Sequence, residues 1–173
     1  MAILDIIVAP DPRLKNKAKP VPVVDESVRR LMVDMVETMH LAPGIGLASV
    51  QVGDLRRVIV VDVSDPNKNR DPICMANPEL IWTSNEECLH EEGCLSLPEQ
   101  YVEIKRPKTI RVRYLDETGE IRELEADGLL AICIQHEMDH LDGILFVDHL
   151  SSLKRGIILR KLAKVKKQEL ITV

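Results

Sequence analysis

The residues best able to do chemistry are His136-Glu137-Met138-Asp139-His140. Two histidines four residues apart on a helix project the same way, so both imidazoles can reach one metal ion. Glu137 lies between them, placed to act as a general base toward water. The five-residue spacing alone also suits a solvated helix face with two ordinary histidines. The preceding run, Gly128-Leu-Leu-Ala-Ile-Cys-Ile-Gln135, is nearly all apolar. Imidazoles and a carboxylate on a buried helix are costly without a partner, and a metal ion supplies one. A third histidine at the extended HExxHxxGxxH spacing is missing: Gly143 fits, but Phe146 stands where the histidine should, and His149 comes three residues late. The segment Glu91-Glu92-Gly93-Cys94-Leu95-Ser96 offers a thiolate instead. Cys94 would complete a Cys-His-His set and leave one coordination position open. Taken alone, Cys94 reads better as a small buried hydrophobe, the reading given to Cys74, Cys88 and Cys133. A third segment, Gly44-Ile-Gly-Leu-Ala-Ser-Val-Gln51, has glycines that let a backbone bend or approach a ligand. It lacks the third glycine and the preceding strand of a dinucleotide site, and its plain reading is a helix-terminating turn.

These residues need elements to hold them. Residues 25–40 predict a helix capped by Asp25, with Val28, Leu31, Met32, Met35, Val36 and Met39 on one stripe. Residues 128–141 predict the helix that carries the two histidines, with Asp127 as cap and Gly143 as stop. Residues 152–169 predict a third, with Leu153, Ile157, Leu162 and Val165 inward and its basic residues outward. Val58–Val63 predicts a buried strand; Thr109–Leu115 and Glu120–Glu125 predict a hairpin around Asp116–Gly119. Pro72–Pro78 and Tyr101–Lys105 are further strand candidates. Strands outnumber helices without βαβ alternation, so the class is α+β with largely antiparallel sheet.

The chain has 173 residues, 45% hydrophobic and 29% charged, which suits one globular domain over residues 1–173 and excludes intrinsic disorder. Aromatics make up only 2%, too few for a base-stacking platform. The start carries Asp5 within its apolar run and no basic stretch, so it does not read as a secretory signal; no apolar run reaches membrane length. The expectation is a cytoplasmic protein with reduced thiols and no membrane or DNA partner. Residues 151–173 carry seven basic residues and one acid, a tail of +6 on a body of −11. That tail is either a solvated helix face or a docking surface for a polyanion.

The three segments GIGLASVQ, EGCLS and QHEMDH, in this order, resemble the peptide deformylase family from Ile3 to about residue 168. The basic C-terminal helix, 152–169, is similar to that of the bacterial class with an extended C-terminal helix. The resemblance implies antiparallel β-sheets around a central helix carrying HExxH. It also implies removal of the N-formyl group from the formylmethionine of nascent polypeptides, with release of formate. By the same resemblance, Cys94, His136 and His140 are metal ligands and Glu137 the general acid/base. Gln51 and the N–H of Leu95 face the formyl oxygen. The resemblance further implies Fe2+ as the ion in the cell, with Zn2+ or Ni2+ able to replace it. Ile45, Gly46, Gly93, Leu129, Ile132 and Cys133 are the substrate-binding set. Leu129, Ile132, Cys133 and His136 fall on one helix face, a slot for an unbranched methionine side chain; packing into the core is the plain alternative. The tail is expected to dock on the ribosome. Ser49 and Tyr101 depart from the family pattern, where Ala and Arg are common. The alternatives are a small zincin-type endopeptidase, which EGCLS and the missing histidine oppose, and an inactive metal- or RNA-binding relative, which Glu137 and Gln51 oppose.

Overall fold

In a computed structural model, residues 2–171 are described; Met1, Thr172 and Val173, the ends of the expected 1–173 domain, lie outside them. Asp25 caps α1 (Glu26–Leu41), its carboxylate accepting from the Val28 N–H at 2.9 Å. Five strands form one antiparallel sheet in the order β1 (Gly46–Ala48), β2 (Val58–Val61), β3 (Ile73–Thr83), β6 (Thr109–Leu115), β7 (Ile121–Asp127). A second sheet is the hairpin of β4 (Glu87–Cys94) and β5 (Leu97–Pro107). The last two helices are α2 (Gly128–Leu141) and α3 (Ser152–Ile171).

Strand β2 shows how the core is divided. Its side chains alternate between faces, as a pleat requires. Val58 and Val60 join Met32, Met35 and Met39 of α1. Ile59 and Val61 join Ala131, Ile134, Met138 and Leu141 of α2. The large sheet is therefore packed between α1 and α2, and all four β2 side chains are buried. A third cluster, with Leu14, Leu97, Ile104, Phe146 and Leu162, ties the small sheet and α3 to the body.

Several expectations change. Glu91–Ser96, which is not among the strand candidates, is mostly strand: β4 runs through Cys94. Its sequence hides this because one face meets a polar cluster and the other meets solvent, so hydrophobicity does not alternate. Gly46–Ala48, read as a turn, is edge strand β1. Asp127 precedes α2 but its side chain makes no cap hydrogen bond. On α3, Leu153, Ile157 and Val165 are 70%, 52% and 48% exposed, and only Leu162 of the expected inward set is buried. Ile158 and Leu159 pack inward instead, a face turned by one residue. Gly143 does stop α2, at φ +74°, and a side chain there would strike the backbone of Lys15. No helix among the described residues is long and apolar enough to cross a membrane.

Candidate metal centre

Helix α2 enters the core, so its histidines arrive almost fully buried, as does Glu137. Strand β4 delivers Cys94 from the other sheet. The ligand atoms of Cys94, His136 and His140 lie within 4.8 Å of one another. Cys94 Sγ is 3.4 Å from His140 Nε2. The Nδ1 atom of His136 is 2.9 Å from Glu92 Oε1, which leaves its Nε2 for the centre. Two buried polar side-chain atoms have no hydrogen-bond partner among the described residues, Glu137 Oε2 and His140 Nδ1, and both belong to the motif. Desolvated groups without partners are expensive, and a thiolate with two imidazoles is a donor set suited to Zn2+ or Fe2+. The residues thus fit a metal ion.

Burial fixes the charge state around the cluster. It pushes the Glu137 carboxyl up to about 7, with the nearby Glu92 carboxylate adding to the rise and His136 opposing it. A carboxyl at that level can both take and give a proton near neutral pH. Glu92 is held down at about 2: hydrogen bonds from His136 and Arg106 outweigh its burial. Arg106 grips Glu92 through Nε at 2.6 Å and Nη2 at 2.9 Å, and reaches Asp139 Oδ2 through Nη1 at 2.9 Å. Asp139 Oδ2 also meets His149 Nε2 at 2.9 Å. This chain from His149 to His136 was not visible in the sequence, because its members come from β4, β5, α2 and the turn after it. The doubled acid of Glu91-Glu92 ahead of Cys94 was the one available signal.

Gln51 is buried beside the cluster. Its Oε1 accepts from the Ala48 N–H at 2.9 Å, and its Nε2 donates to Ser96 Oγ at 3.0 Å and lies 3.5 Å from Cys94 Sγ. The amide face with hydrogens therefore points to the centre. Leu95 follows Cys94, and its side chain lies against Gly44, where an added Cβ would come within 2.8 Å. Gly46 is tighter: a Cβ there would sit 2.5 Å from Glu137 Oε1 and 2.8 Å from Cys133 Sγ. Ser49 donates its hydroxyl to the Arg56 carbonyl. Tyr101 is exposed, its ring lying over Gly93.

A cavity of about 70 Å³ opens beside the cluster, lined by Ile45, Gly93, Leu129, Ile132 and Cys133 together with His90, Glu91, Glu92, His136 and Glu137. The expected slot residues are brought together there, with Gly46 outside the lining but against Glu137. One water needs roughly 10–15 Å³ on this measure, so a chain of four or five heavy atoms can be held. Ile45 is fixed at the carbonyl, which accepts from the Asp62 N–H at 2.8 Å and from Cys133 Sγ at 3.3 Å. A larger groove of about 660 Å³ shares no lining residue with the slot; Ile6–Val8 and Pro98–Gln100 border it, together with Lys161, Leu162, Val165 and Lys166 of α3.

Comparison with known proteins agrees with this geometry. The family described as polypeptide deformylase matches residues 3–156. A peptide deformylase of Methylocella silvestris is 56% identical over 170 residues, covering 96% of this chain and 87% of the relative. The crystal structure of peptide deformylase from Ehrlichia chaffeensis superposes with a TM-score of 0.92 at 39% identity, covering 98% of this chain and 99% of that one. The Ehrlichia chaffeensis enzyme in complex with actinonin gives 0.90 at 42% identity, with the same coverage.

Proposed function

The chain belongs to the polypeptide deformylase family, and on that premise we propose that it is a metal-dependent hydrolase removing the N-formyl group from the terminal formylmethionine of nascent polypeptides, releasing formate. The observation that carries the reading is the Cys94, His136, His140 cluster with buried Glu137 beside a slot sized for one unbranched side chain. A bound divalent ion would lower the pKa of water and polarise the formyl oxygen. Fe2+ is the ion proposed for the cell, with Zn2+ or Ni2+ able to take its place in preparations.

Each role follows from position. Cys94, His136 and His140 hold the ion, and Glu92 orients the His136 ring. Glu137 takes the proton of the attacking water and gives it to the departing amine. The Gln51 amide and the Leu95 N–H donate to the formyl oxygen as charge gathers on it, each such donor being worth about 3 kcal/mol. Ile45, Leu129, Ile132 and Cys133 line the slot for the methionine side chain, and Gly46 and Gly93 let the substrate backbone come close. Cys94 is a ligand here, since no covalent intermediate is needed.

Residues 1–173 act as a single cytoplasmic domain, and α3 presents its basic face to the ribosome, where formylated chains emerge. The test is formate release from a formyl-Met peptide, set against cleavage of an unformylated one. Formate only, abolished by a chelator and restored by metal, is expected; internal cleavage would favour a zincin-type peptidase, and neither reaction an inactive relative.

A further inference from the structure

The slot is not uniformly apolar. Ile45, Leu129 and Ile132 give hydrocarbon, and Cys133 is committed to the Ile45 carbonyl. The Glu92 carboxylate is bound by His136 and Arg106. On β4 side chains alternate, and the pairing Glu91↔Glu103 is exposed while His90↔Ile104 lies on the face that buries Glu92 and Ile104. His90 shares that face with Cys88 and Glu92, and of these it lines the slot without being engaged at the metal centre. It has no hydrogen-bond or ion-pair partner among the described residues. Ile45, Leu129 and His90 are all exposed, so they form the outer end of the slot, while His136 and Glu137 form its inner end. Leu129 lies two turns before His136, roughly 10 Å along the helix, which places this end where the tip of an extended side chain arrives.

We propose that His90 is a specificity-determining residue whose ring N–H gives the outer wall of the slot a hydrogen-bond donor, so that the enzyme also deformylates chains whose initiator methionine is oxidised to the sulfoxide. This rests on the deformylase reading of the site. Oxidation turns a weak thioether acceptor into a strong, polar S=O acceptor. A purely aliphatic wall would displace water from one side of that oxygen and offer it no hydrogen bond in return. A neutral imidazole always keeps one N–H to offer.

The experiment measures kcat/KM for three formyl tripeptides that differ only in the first residue: methionine, norleucine and methionine sulfoxide. Wild type, His90→Leu and His90→Asn are compared, each loaded with the same metal. The ratio of sulfoxide to norleucine is expected to fall about 5- to 10-fold in His90→Leu, the size of one hydrogen bond, and to recover most of that loss in His90→Asn. The within-protein ratio cancels differences in folding or metal loading. Equal ratios in wild type and His90→Leu overturn the role of His90 while leaving the deformylase reading intact. Failure of wild type to release formate from the methionine peptide sinks that reading, and this proposal with it.

Discussion

Glu137 and Gly46 illustrate how closely the chemistry depends on single atoms. Glu137 Oε2 is buried without a partner, and burial holds its carboxyl near neutrality. Glu137→Gln preserves shape but cannot accept a proton. Metal content is expected to stay, while turnover falls at least ~10²-fold; near-normal turnover with bound metal would refute the general-base role. Gly46→Ala acts on the same carboxylate from the other side, because its Cβ meets Oε1 at 2.5 Å. The carboxylate or the edge strand must shift, and displacing a catalytic group by about 1 Å can cost ~10²-fold. The expected result is a large loss of kcat with metal retained. Cys94 and Cys133 separate in the same way. Cys94→Ser is expected to lose metal and Cys133→Ser to keep it, read by elemental analysis of the purified variants. Cys133 faces the Ile45 carbonyl, and burial drives its thiol far up from the ordinary range, so it stays a neutral thiol.

At the scale of elements, the metal centre is a junction between the small sheet and helix α2, and Arg106 on β5 is its fastening. Arg106 is 6% exposed and satisfies two carboxylates, Glu92 on β4 and Asp139 on α2. Removing it leaves the buried Glu92 carboxylate with the His136 ring as its one remaining side-chain partner. Arg106→Leu is expected to destabilise the fold by about 3–5 kcal/mol, measured by urea unfolding of the metal-free protein. The pH dependence has a definite sign. Glu92 is lowered from 4.5 to about 2, so its contribution is full above pH 4.5 and is lost as pH falls toward 2. Wild type is expected to lose stability through that window, and Glu92→Gln to be less stable above it but flatter across it. This junction also explains what was legible in the sequence. Helices α1 and α2, β2 and the β6–β7 hairpin follow from apolar periodicity and turn residues, because each buries a face against hydrocarbon. Strand β4 was hidden, because its inner face serves Arg106, His136 and the slot, not a core. Glu92 and Arg106 went unnoticed for the same reason: a residue that acts through a partner from another element has no local pattern. The ligand motif survived that limit because two of its three members lie on one helix turn.

For the whole molecule, charge is divided between a body of −11 and a tail of +6. The tail is also a distinct surface. Helix α3 buries Leu162 against the body and leaves Arg160, Lys161, Lys164 and Lys167 exposed, with Leu153 and Ile157 exposed toward its start. Lys166 turns back instead, toward the Val8 carbonyl at 3.4 Å, so the basic residues are not equivalent. An acidic body is repelled by a polyanion, and a basic helix on one side orients the approach. If α3 docks on ribosomal RNA, binding releases counterions and must weaken steeply with salt. Changing Lys161, Lys164 and Lys167 to Glu removes six units and takes the tail from +6 to zero. None of the three lines the slot, and none contacts the ligand cluster. Cosedimentation with ribosomes is expected to drop at least ~10-fold at low salt, and its dependence on salt to flatten, since fewer phosphates are neutralised. Turnover of a short formyl-Met peptide in free solution reports on the slot and not on the tail. A variant that binds ribosomes as wild type does, with an unchanged salt slope, would return α3 to an ordinary solvated face. A loss of peptide turnover equal to the loss of binding would show instead that the helix supports the fold of the site.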